Sequence, residues 1–281
     1  MKAVLKRIPP VVRVYERTAT AWRWYAKTRW PLAALRRLNA AVRAISATTH
    51  RWQLELDYRI PPMPEWYDQF IGVHYHWREL RQPFTWERGI FNLLVIREGA
   101  RVLDLCCGGG FFTYYCYSGR ASEVVAIDFD QTAIAHARRY NQAPNIRFDI
   151  VDIRAGLPDG DFNNIVWDGA IEHFTESEIA NIIARLKPLL VHDGILSGHT
   201  IQAAPHGLSH HEHEYEFTSR EDLARFFTPH FEHVLVLETV YSERHNLYFF
   251  ASDAPLPLDG AMLRVDQSNL ARPSAQPNVA V

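Results

Sequence analysis

A glycine-rich turn after a short apolar run is the first feature of this sequence that could do chemistry. Residues 102–110 are VLDLCCGGG, so a predicted buried strand carries an acid near its end and then turns through three consecutive glycines. Glycines at this point permit positive φ angles and let the backbone approach a ligand closely. A flexible loop can have the same composition, so the turn alone predicts no particular ligand.

Acids follow each of the next three predicted strands. Asp128 ends the second strand, where a carboxylate can accept hydrogen bonds from both hydroxyls of a ribose. Asp152 follows the third strand, in position to accept from an adenine amino group, and Asp168 ends the fourth. Because ligands of parallel α/β sheets lie at the carboxyl ends of the strands, this spacing predicts a nucleoside-containing ligand at that edge.

The elements that must position these acids alternate between short β-branched runs and helical segments from residue 100 onward. Capping boxes at Thr175-x-x-Glu178 and Thr218-x-x-Glu221 predict two helix starts. The alternation is typical of an α/β fold, with a parallel sheet covered by helices on both faces. Strands are predicted at Arg101–Leu105, Glu123–Ile127, Ile146–Ile150, Asn164–Trp167 and Ile195–Thr200, helices at Phe111–Tyr117, Gln131–Asn141 and Glu176–Leu186, and an antiparallel pair at Val234–Val240 and Leu247–Ala251.

Residues 99–251 resemble the class I S-adenosylmethionine-dependent methyltransferase family. The first family motif is roughly V-L-D-x-G-x-G-x-G, and here Cys106 replaces its first glycine while Gly108 and Gly110 match the other two. The resemblance implies a Rossmann-like, mostly parallel seven-stranded sheet with an antiparallel last strand, preceded here by an N-terminal helical extension. It also implies S-adenosylmethionine as cofactor, bound by Asp104, Cys106, Gly108, Gly110, Asp128, Phe129, Asp152, Ile153 and Asp168.

A dinucleotide oxidoreductase is the nearest competing interpretation, because Gly108-x-Gly110-x-x-Thr113 matches part of its fingerprint. An acid at position 104 tells against it, since a fixed negative charge is unfavourable beside a pyrophosphate. The same charge suits a cofactor that carries an ammonium and a sulfonium.

Methyl transfer to a hydroxyl needs a group that removes its proton, and His173, next to Glu172, is the best candidate. Imidazole is the side chain that exchanges protons most readily near neutral pH. Alternatively, the pair only caps or braces the adjoining helix. The motifs of amide or adenine nitrogen chemistry and of cytosine carbon-5 chemistry are absent, which favours an oxygen acceptor or an undemanding nitrogen.

The sequence after residue 210 looks like that of bacterial methyltransferases that modify sugars, glycolipids or quinones. We therefore predict O-methylation of a small-molecule, sugar or glycolipid, or quinone-type acceptor. The alternatives are an RNA methyltransferase that uses the basic N-terminal arm and a non-catalytic cofactor-binding scaffold.

A histidine-rich run raises the question of a metal. An E-x-x-E-H metal motif would need Glu at position 169, where this chain has Gly169. The pattern therefore favours a polar substrate loop, and no metal is predicted. The run contains His199, His206, His210, His211 and His213, interleaved with Glu212 and Glu214.

Charge is distributed unevenly along the chain. Residues 1–51 carry twelve Lys or Arg and one acid, whereas the whole chain has a net charge of −2. Such an arm suits an anionic membrane surface. RNA is a less favoured partner, and the remaining alternative is a helix packed on the body. We predict a basic helical extension (1–60), an aromatic and Pro-rich lead-in (61–98), a methyltransferase domain (99–252) and a flexible tail (253–281).

Three clustered cysteines without a CxxC spacing favour a reducing compartment. The expected localisation is cytoplasmic, with peripheral attachment to the inner membrane face through the arm. The sequence predicts no oligomeric state.

Overall fold

A computed structural model of the chain describes residues 29–57, 84–203, 213–241, 244–258 and 265–266. The chain divides into two compact units, Met1–Leu56 and Asp57–Val281, each described here by itself. Helix α1, Arg29–Asp57, makes up the described part of the first unit and lies within the predicted basic helical extension (1–60). Pro31 lies in its first turn, where a missing backbone N–H removes no helical hydrogen bond. Residues 1–28 of the predicted basic helical extension lie outside the described residues.

The second unit is built on one sheet whose strand order is β3-β2-β1-β4-β5-β7-β6-β8. Strand β7 is antiparallel to both of its neighbours, and the other pairs in the sheet are parallel. The predicted α/β class, including the antiparallel strand, is confirmed, and a two-residue strand is added at the edge. The strands are β1 Arg101–Leu105, β2 Glu123–Asp128, β3 Ile146–Ile150, β4 Phe162–Asp168, β5 Leu190–Ile201, β6 His233–Tyr241, β7 Arg244–Ser252 and β8 Val265–Asp266.

Helices cover the sheet and begin where local hydrogen bonds dictate. The capping box of Thr175 and Glu178 is confirmed. The second predicted box is wrong, because Ser219 is the N-cap and accepts from the backbone N–H of Asp222. The helices are α2 Phe84–Val95, a π-helical turn Thr113–Tyr117 in place of the predicted helix over 111–117, α3 Gln131–Tyr140, α4 Glu176–Leu186 and α5 Arg220–Ala224, with 3₁₀ turns at Ile171–His173 and Lys187–Leu189.

Apolar residues on the two faces of the sheet form separate cores. Leu103 and Leu105 face a cluster that includes the buried side of α4, whereas Val102 and Val124 face a cluster that includes α3. Helix α2 contributes Phe91 to a third cluster over β5, β6 and β7. Because side chains alternate along a strand, this two-sided burial fixes the register and brings the carboxyl ends of β1, β2 and β4 to one edge.

Residues 61–83 of the predicted lead-in and most of the predicted tail lie outside the described residues. The predicted domain boundaries therefore stay predictions. Within the tail, Val265–Asp266 pairs in parallel with β6. Among the described helices, none combines the length and the apolar character that crossing a membrane requires.

Candidate active site

The turn after β1 uses backbone conformations that favour glycine. Gly108 and Gly110 have φ angles of +54° and +73°, and Cys106 has φ +53°. Cys106 is the single non-glycine residue with a positive φ among those described, so it takes the conformation expected of the glycine it replaces. The left-handed conformation costs a non-glycine residue about 1–2 kcal/mol. A Cβ on Gly110 would lie 2.7 Å from two ring atoms of Phe148, so the close approach of the turn to β3 requires glycine there.

Asp104 lies buried beneath this turn. Its side chain accepts a 2.6 Å hydrogen bond from Thr113 Oγ1, and the residue is only 4% exposed. The pKa of Asp104 is raised to about 7: burial is the main cause, the nearby carboxylates of Asp168 and Asp128 contribute, and the Thr113 hydrogen bond opposes the increase. A cation placed beside this carboxyl would favour its ionised form.

Asp128 joins the end of β2 to the glycine-rich turn. Its two carboxylate oxygens accept from the backbone N–H of Gly108 at 2.8 Å and of Asp130 at 2.9 Å. Burial raises the pKa of Asp128, and these backbone hydrogen bonds counteract the increase. Phe129, the next residue, keeps 45% of its surface exposed. The predicted ribose-binding acid and its aromatic neighbour therefore lie directly beside the turn.

The acid after β3 has different surroundings. Asp152 is exposed, and its Oδ1 accepts from the backbone N–H of Arg154 at 2.9 Å. Ile153 is 2% exposed and packs in the core beneath the sheet edge. Their predicted cofactor roles stay predictions.

Asp168 is held by a residue that the sequence did not suggest. Arg88 of α2 donates from Nε to Asp168 Oδ2 at 2.9 Å and from Nη2 to the Asp168 carbonyl at 3.0 Å. Asp168 Oδ1 is buried and has no hydrogen bond among the described residues, and His199 Nδ1 lies 3.9 Å from it. Gly169 has φ +66°, and a Cβ there would lie 2.3 Å from Arg88 Nη2, which explains why this position has no side chain.

Helix α2 carries a second anchor that the sequence did not suggest. The carboxylate of Glu87 is buried and accepts hydrogen bonds from the hydroxyls of Thr239, Tyr241 and Tyr248 on β6 and β7. No motif marks Glu87 or Arg88, because their partners lie at least 80 residues away in the sequence. Together they fix α2 across the edge of the sheet.

Glu172 and His173 lie in the 3₁₀ turn after β4. Glu172 is buried, and its Oε2 accepts from Thr200 Oγ1 at 3.0 Å. The Glu172 carbonyl accepts from the backbone N–H groups of Glu214 at 2.9 Å and Tyr215 at 3.2 Å. Glu172 therefore braces β5 and the 213–215 segment, whereas Thr175 and Glu178 cap α4.

Glu172 and His173, the predicted catalytic pair, lie close to His213, one member of the histidine-rich run. The ring centroids of His173 and His213 are 5.1 Å apart, and ligand atoms of Glu172, His173 and His213 all lie within 4.8 Å of one another. His199 is not part of this group, since its ring is buried in the sheet with Nε2 3.3 Å from Asn246 Oδ1. His206, His210, His211 and Glu212 lie outside the described residues.

Comparison with known proteins identifies the domain. A family model described as "Methyltransferase domain" matches residues 102–194. An uncharacterised methyltransferase, sll0829, of Synechocystis sp. is 31% identical over 37% of this chain and 48% of its own length. A 23S rRNA (uracil(1939)-C(5))-methyltransferase, RlmD, of Alkalilimnicola ehrlichii is 30% identical over 51% of this chain and 33% of its own length. The chain thus spans half or less of the length of these curated relatives.

Solved structures share the fold. A DhpI complex with SAH covers 68% of this chain and 91% of its own, at 19% identity and a TM-score of 0.52. The N-methyltransferase NodS from Bradyrhizobium japonicum WM9 covers 60% of this chain and 96% of its own, at 17% identity and a TM-score of 0.51. The domain model matched over residues 102–194 and this shared fold support the predicted resemblance to the class I S-adenosylmethionine-dependent methyltransferases.

Proposed function

We propose that the chain is an S-adenosylmethionine-dependent methyltransferase that acts on a hydroxyl of a small-molecule, sugar or glycolipid, or quinone-type acceptor. The observation that carries the proposal is the set of buried acids around the glycine-rich turn. Asp104 and Asp128 are buried, and Asp128 accepts a hydrogen bond from the backbone N–H of Gly108 in the turn. The unpartnered Asp168 Oδ1 adds a third buried oxygen among the described residues.

These residues fit S-adenosylmethionine by charge and by hydrogen bonding. Asp104 would hold the ammonium, the 106–110 turn would accommodate the closely approaching cofactor, and Asp128 would accept from the ribose hydroxyls. The exposed ring of Phe129 would lie against the adenine. When bound, the cofactor supplies a methyl group on a positively charged sulfur, for which alignment with the acceptor is the main requirement.

Glu172 and His173 are the residues that we assign to the acceptor hydroxyl. They follow β4, and backbone hydrogen bonds from Glu214 and Tyr215 tie this turn to the segment after β5. His173 would accept the hydroxyl proton, and the buried Glu172, held by Thr200, would orient the acceptor.

RNA is the second candidate acceptor. The curated relative RlmD is named for methylation of 23S rRNA, and the first 51 residues of this chain are strongly basic. The buried acids at the site favour the first candidate, since a fixed negative charge repels the phosphates of RNA. A non-catalytic scaffold would bind S-adenosylmethionine but would transfer no methyl group.

Transfer of a labelled methyl group from S-adenosylmethionine to separated cell fractions distinguishes these candidates. We expect label in the lipid, glycan or small-metabolite fraction. Label confined to RNA would support the second candidate, and label in no fraction, despite cofactor binding, would support the scaffold.

Replacing His173 by Ala is expected to lower kcat about 100-fold or more, because general-base catalysis contributes about 10²–10⁴-fold to rate. The Kd for S-adenosylmethionine should stay within a factor of two of the unmodified chain. His233→Ala, at an exposed histidine of β6, is the matched control. Turnover unchanged by His173→Ala would reduce the residue to a structural role.

Helix α1 suits an anionic membrane surface, which we propose as its partner at the cytoplasmic face. Its large apolar residues are exposed, five of them recur at steps of three and four between Leu32 and Ile45, and Arg36, Arg37 and Arg43 lie among them. An apolar stripe beside cations is typical of helices that lie in the membrane interface. The exposed apolar residues are Leu32, Leu35, Leu38, Val42, Ile45, Trp52 and Leu56.

Neutralising these cations should release the chain from anionic vesicles. Each cation near such a surface contributes about 1 kcal/mol, so R36Q/R37Q/R43Q should weaken vesicle binding roughly 100-fold. Sedimentation with phosphatidylserine-containing vesicles measures this. The control R139Q/R147Q/R220Q removes three exposed cations of the second unit and should bind as the unmodified chain does. Equal binding to neutral and anionic vesicles would contradict the proposal.

A further inference from the structure

The group formed by Glu172, His173 and His213 has the composition of a metal site. Two imidazoles and one carboxylate are brought together from the turn after β4 and the segment after β5, with ligand atoms within 4.8 Å of one another. Nitrogen and oxygen donors in this ratio suit divalent first-row transition metals, whereas imidazole is a poor ligand for Mg²⁺. Ligands about 2.1 Å from a tetrahedrally coordinated ion are about 3.4 Å apart, so these atoms would have to approach one another by up to about 1.4 Å when an ion binds.

Hydrogen bonds behind this group orient its members as outer-shell partners orient metal ligands. Nδ1 of His213 lies 2.5 Å from Glu216 Oε1, so a metal would be bound through the opposite ring nitrogen, Nε2. Carboxylate–histidine pairs of this kind fix the tautomer and increase the basicity of the ligating nitrogen. Thr200 Oγ1 donates to one oxygen of Glu172, so a metal would be bound through the other.

The backbone holds the group together independently of any ion. The Glu172 carbonyl accepts from Glu214 and Tyr215, and Arg154 Nη2 donates to the His173 carbonyl at 3.2 Å. Glu172 and His213 are buried, and His173 is partly exposed. A preformed group loses less conformational entropy when an ion binds.

We propose that Glu172, His173 and His213 bind one divalent transition-metal ion such as Zn²⁺, with Glu216 and Thr200 as positioning residues. This replaces the sequence-based expectation of no metal, and the ligands differ from the run considered there, of which His213 alone belongs to the group. Where the ion would position an acceptor oxygen, the inference depends on the proposed function, and the ion would then take the place of His173 in promoting loss of the hydroxyl proton, because a metal-bound imidazole cannot accept it. Metal binding itself does not depend on the proposed function.

Calorimetric titration of the chelator-treated full chain with Zn²⁺ tests the proposal. We expect a saturable site that Mg²⁺ does not occupy, and Co²⁺ at the same site should give the visible absorption of nitrogen- and oxygen-coordinated cobalt. His213→Ala and Glu172→Gln should each weaken Zn²⁺ binding at least tenfold. Glu216→Gln, which touches no metal in the proposal, should weaken it about 10–100-fold. His233→Ala should leave it unchanged.

S-adenosylmethionine affinity and circular dichroism, measured on the same samples, separate this inference from the proposed function. Variants that keep their fold and cofactor affinity while losing Zn²⁺ support the metal site. If His213→Ala does not fold, the near-isosteric Glu172→Gln and Glu216→Gln decide. Absence of saturable Zn²⁺ binding in the unmodified chain, or equal affinity in all variants, would overturn the metal site and leave the methyltransferase proposal standing.

Discussion

Gly110→Ala is expected to destabilise the chain by about 2–5 kcal/mol. The left-handed φ of +73° accounts for about 1–2 kcal/mol of this. The overlap of the new Cβ with the ring of Phe148, which is only 3% exposed and has no room to move, accounts for the rest. Chemical denaturation measures the change, and the folded fraction should bind S-adenosylmethionine at least tenfold more weakly, because the turn must shift to accommodate the methyl group.

Gly119→Ala is the matched control, because a Cβ there meets nothing within 4 Å and the backbone is outside the left-handed region. We expect it to change the free energy of unfolding by less than about 0.5 kcal/mol. If Gly110→Ala were as stable as Gly119→Ala, the close approach of the turn to β3 would be wrong.

Asp104→Asn is expected to weaken S-adenosylmethionine binding at pH 7.5 about 10–150-fold, the range for loss of a hydrogen bond to a charged group. Because burial raises the pKa of Asp104 to about 7, the carboxyl is mostly protonated below that pH and cannot pair with the cofactor ammonium. Affinity of the unmodified chain should therefore rise up to tenfold per pH unit between about pH 5.5 and 6.5. The Asp104→Asn variant should lack this dependence.

The stability of the cofactor-free chain should change in the opposite direction with pH. A folded-state pKa above the unfolded value contributes stability that is fully present below the unfolded pKa and is lost as pH rises through the folded one. As the pH rises from the ordinary pKa of 3.8 through the folded-state pKa of about 7, the contribution of Asp104 to the free energy of unfolding falls by roughly 4 kcal/mol. Calorimetric unfolding at pH 5 and pH 8 should show a smaller difference in Asp104→Asn than in the unmodified chain.

Asp149→Asn, at an exposed aspartate of β3, should follow the unmodified chain in both measurements. If affinity and stability depended on pH identically in Asp104→Asn and in the unmodified chain, Asp104 would not be the group that titrates.

The strands and the acids at their ends could be predicted because both depend on the pattern of apolar and polar residues that are close in the sequence. Asp104, Asp128 and Asp168 each end or nearly end an apolar run, and an apolar run of that length predicts a buried parallel strand. Cys106 stands where the family motif has its first glycine, and the rest of the motif is still recognisable. Its φ of +53° lies in the left-handed region, which a glycine adopts readily.

Contacts between distant segments could not be predicted in the same way. Arg88 reaches Asp168 across 80 residues, and no pattern in the aromatic lead-in distinguishes it from its neighbours. The sequence pattern groups His199 with the histidines that follow it, although the strand continues through His199 and buries its ring beside Tyr248. Sequence proximity was thus misleading for His199, whereas His213 joins Glu172 and His173 through a fold-dependent contact.

Binding of S-adenosylmethionine to the full chain, measured by isothermal titration calorimetry with Asp128→Ala alongside, tests the central claim most directly. We predict saturable binding to the unmodified chain and at least tenfold weaker binding to Asp128→Ala, whose carboxylate would no longer be present to accept from the ribose hydroxyls. No binding to the unmodified chain, or equally tight binding to Asp128→Ala, would contradict the account.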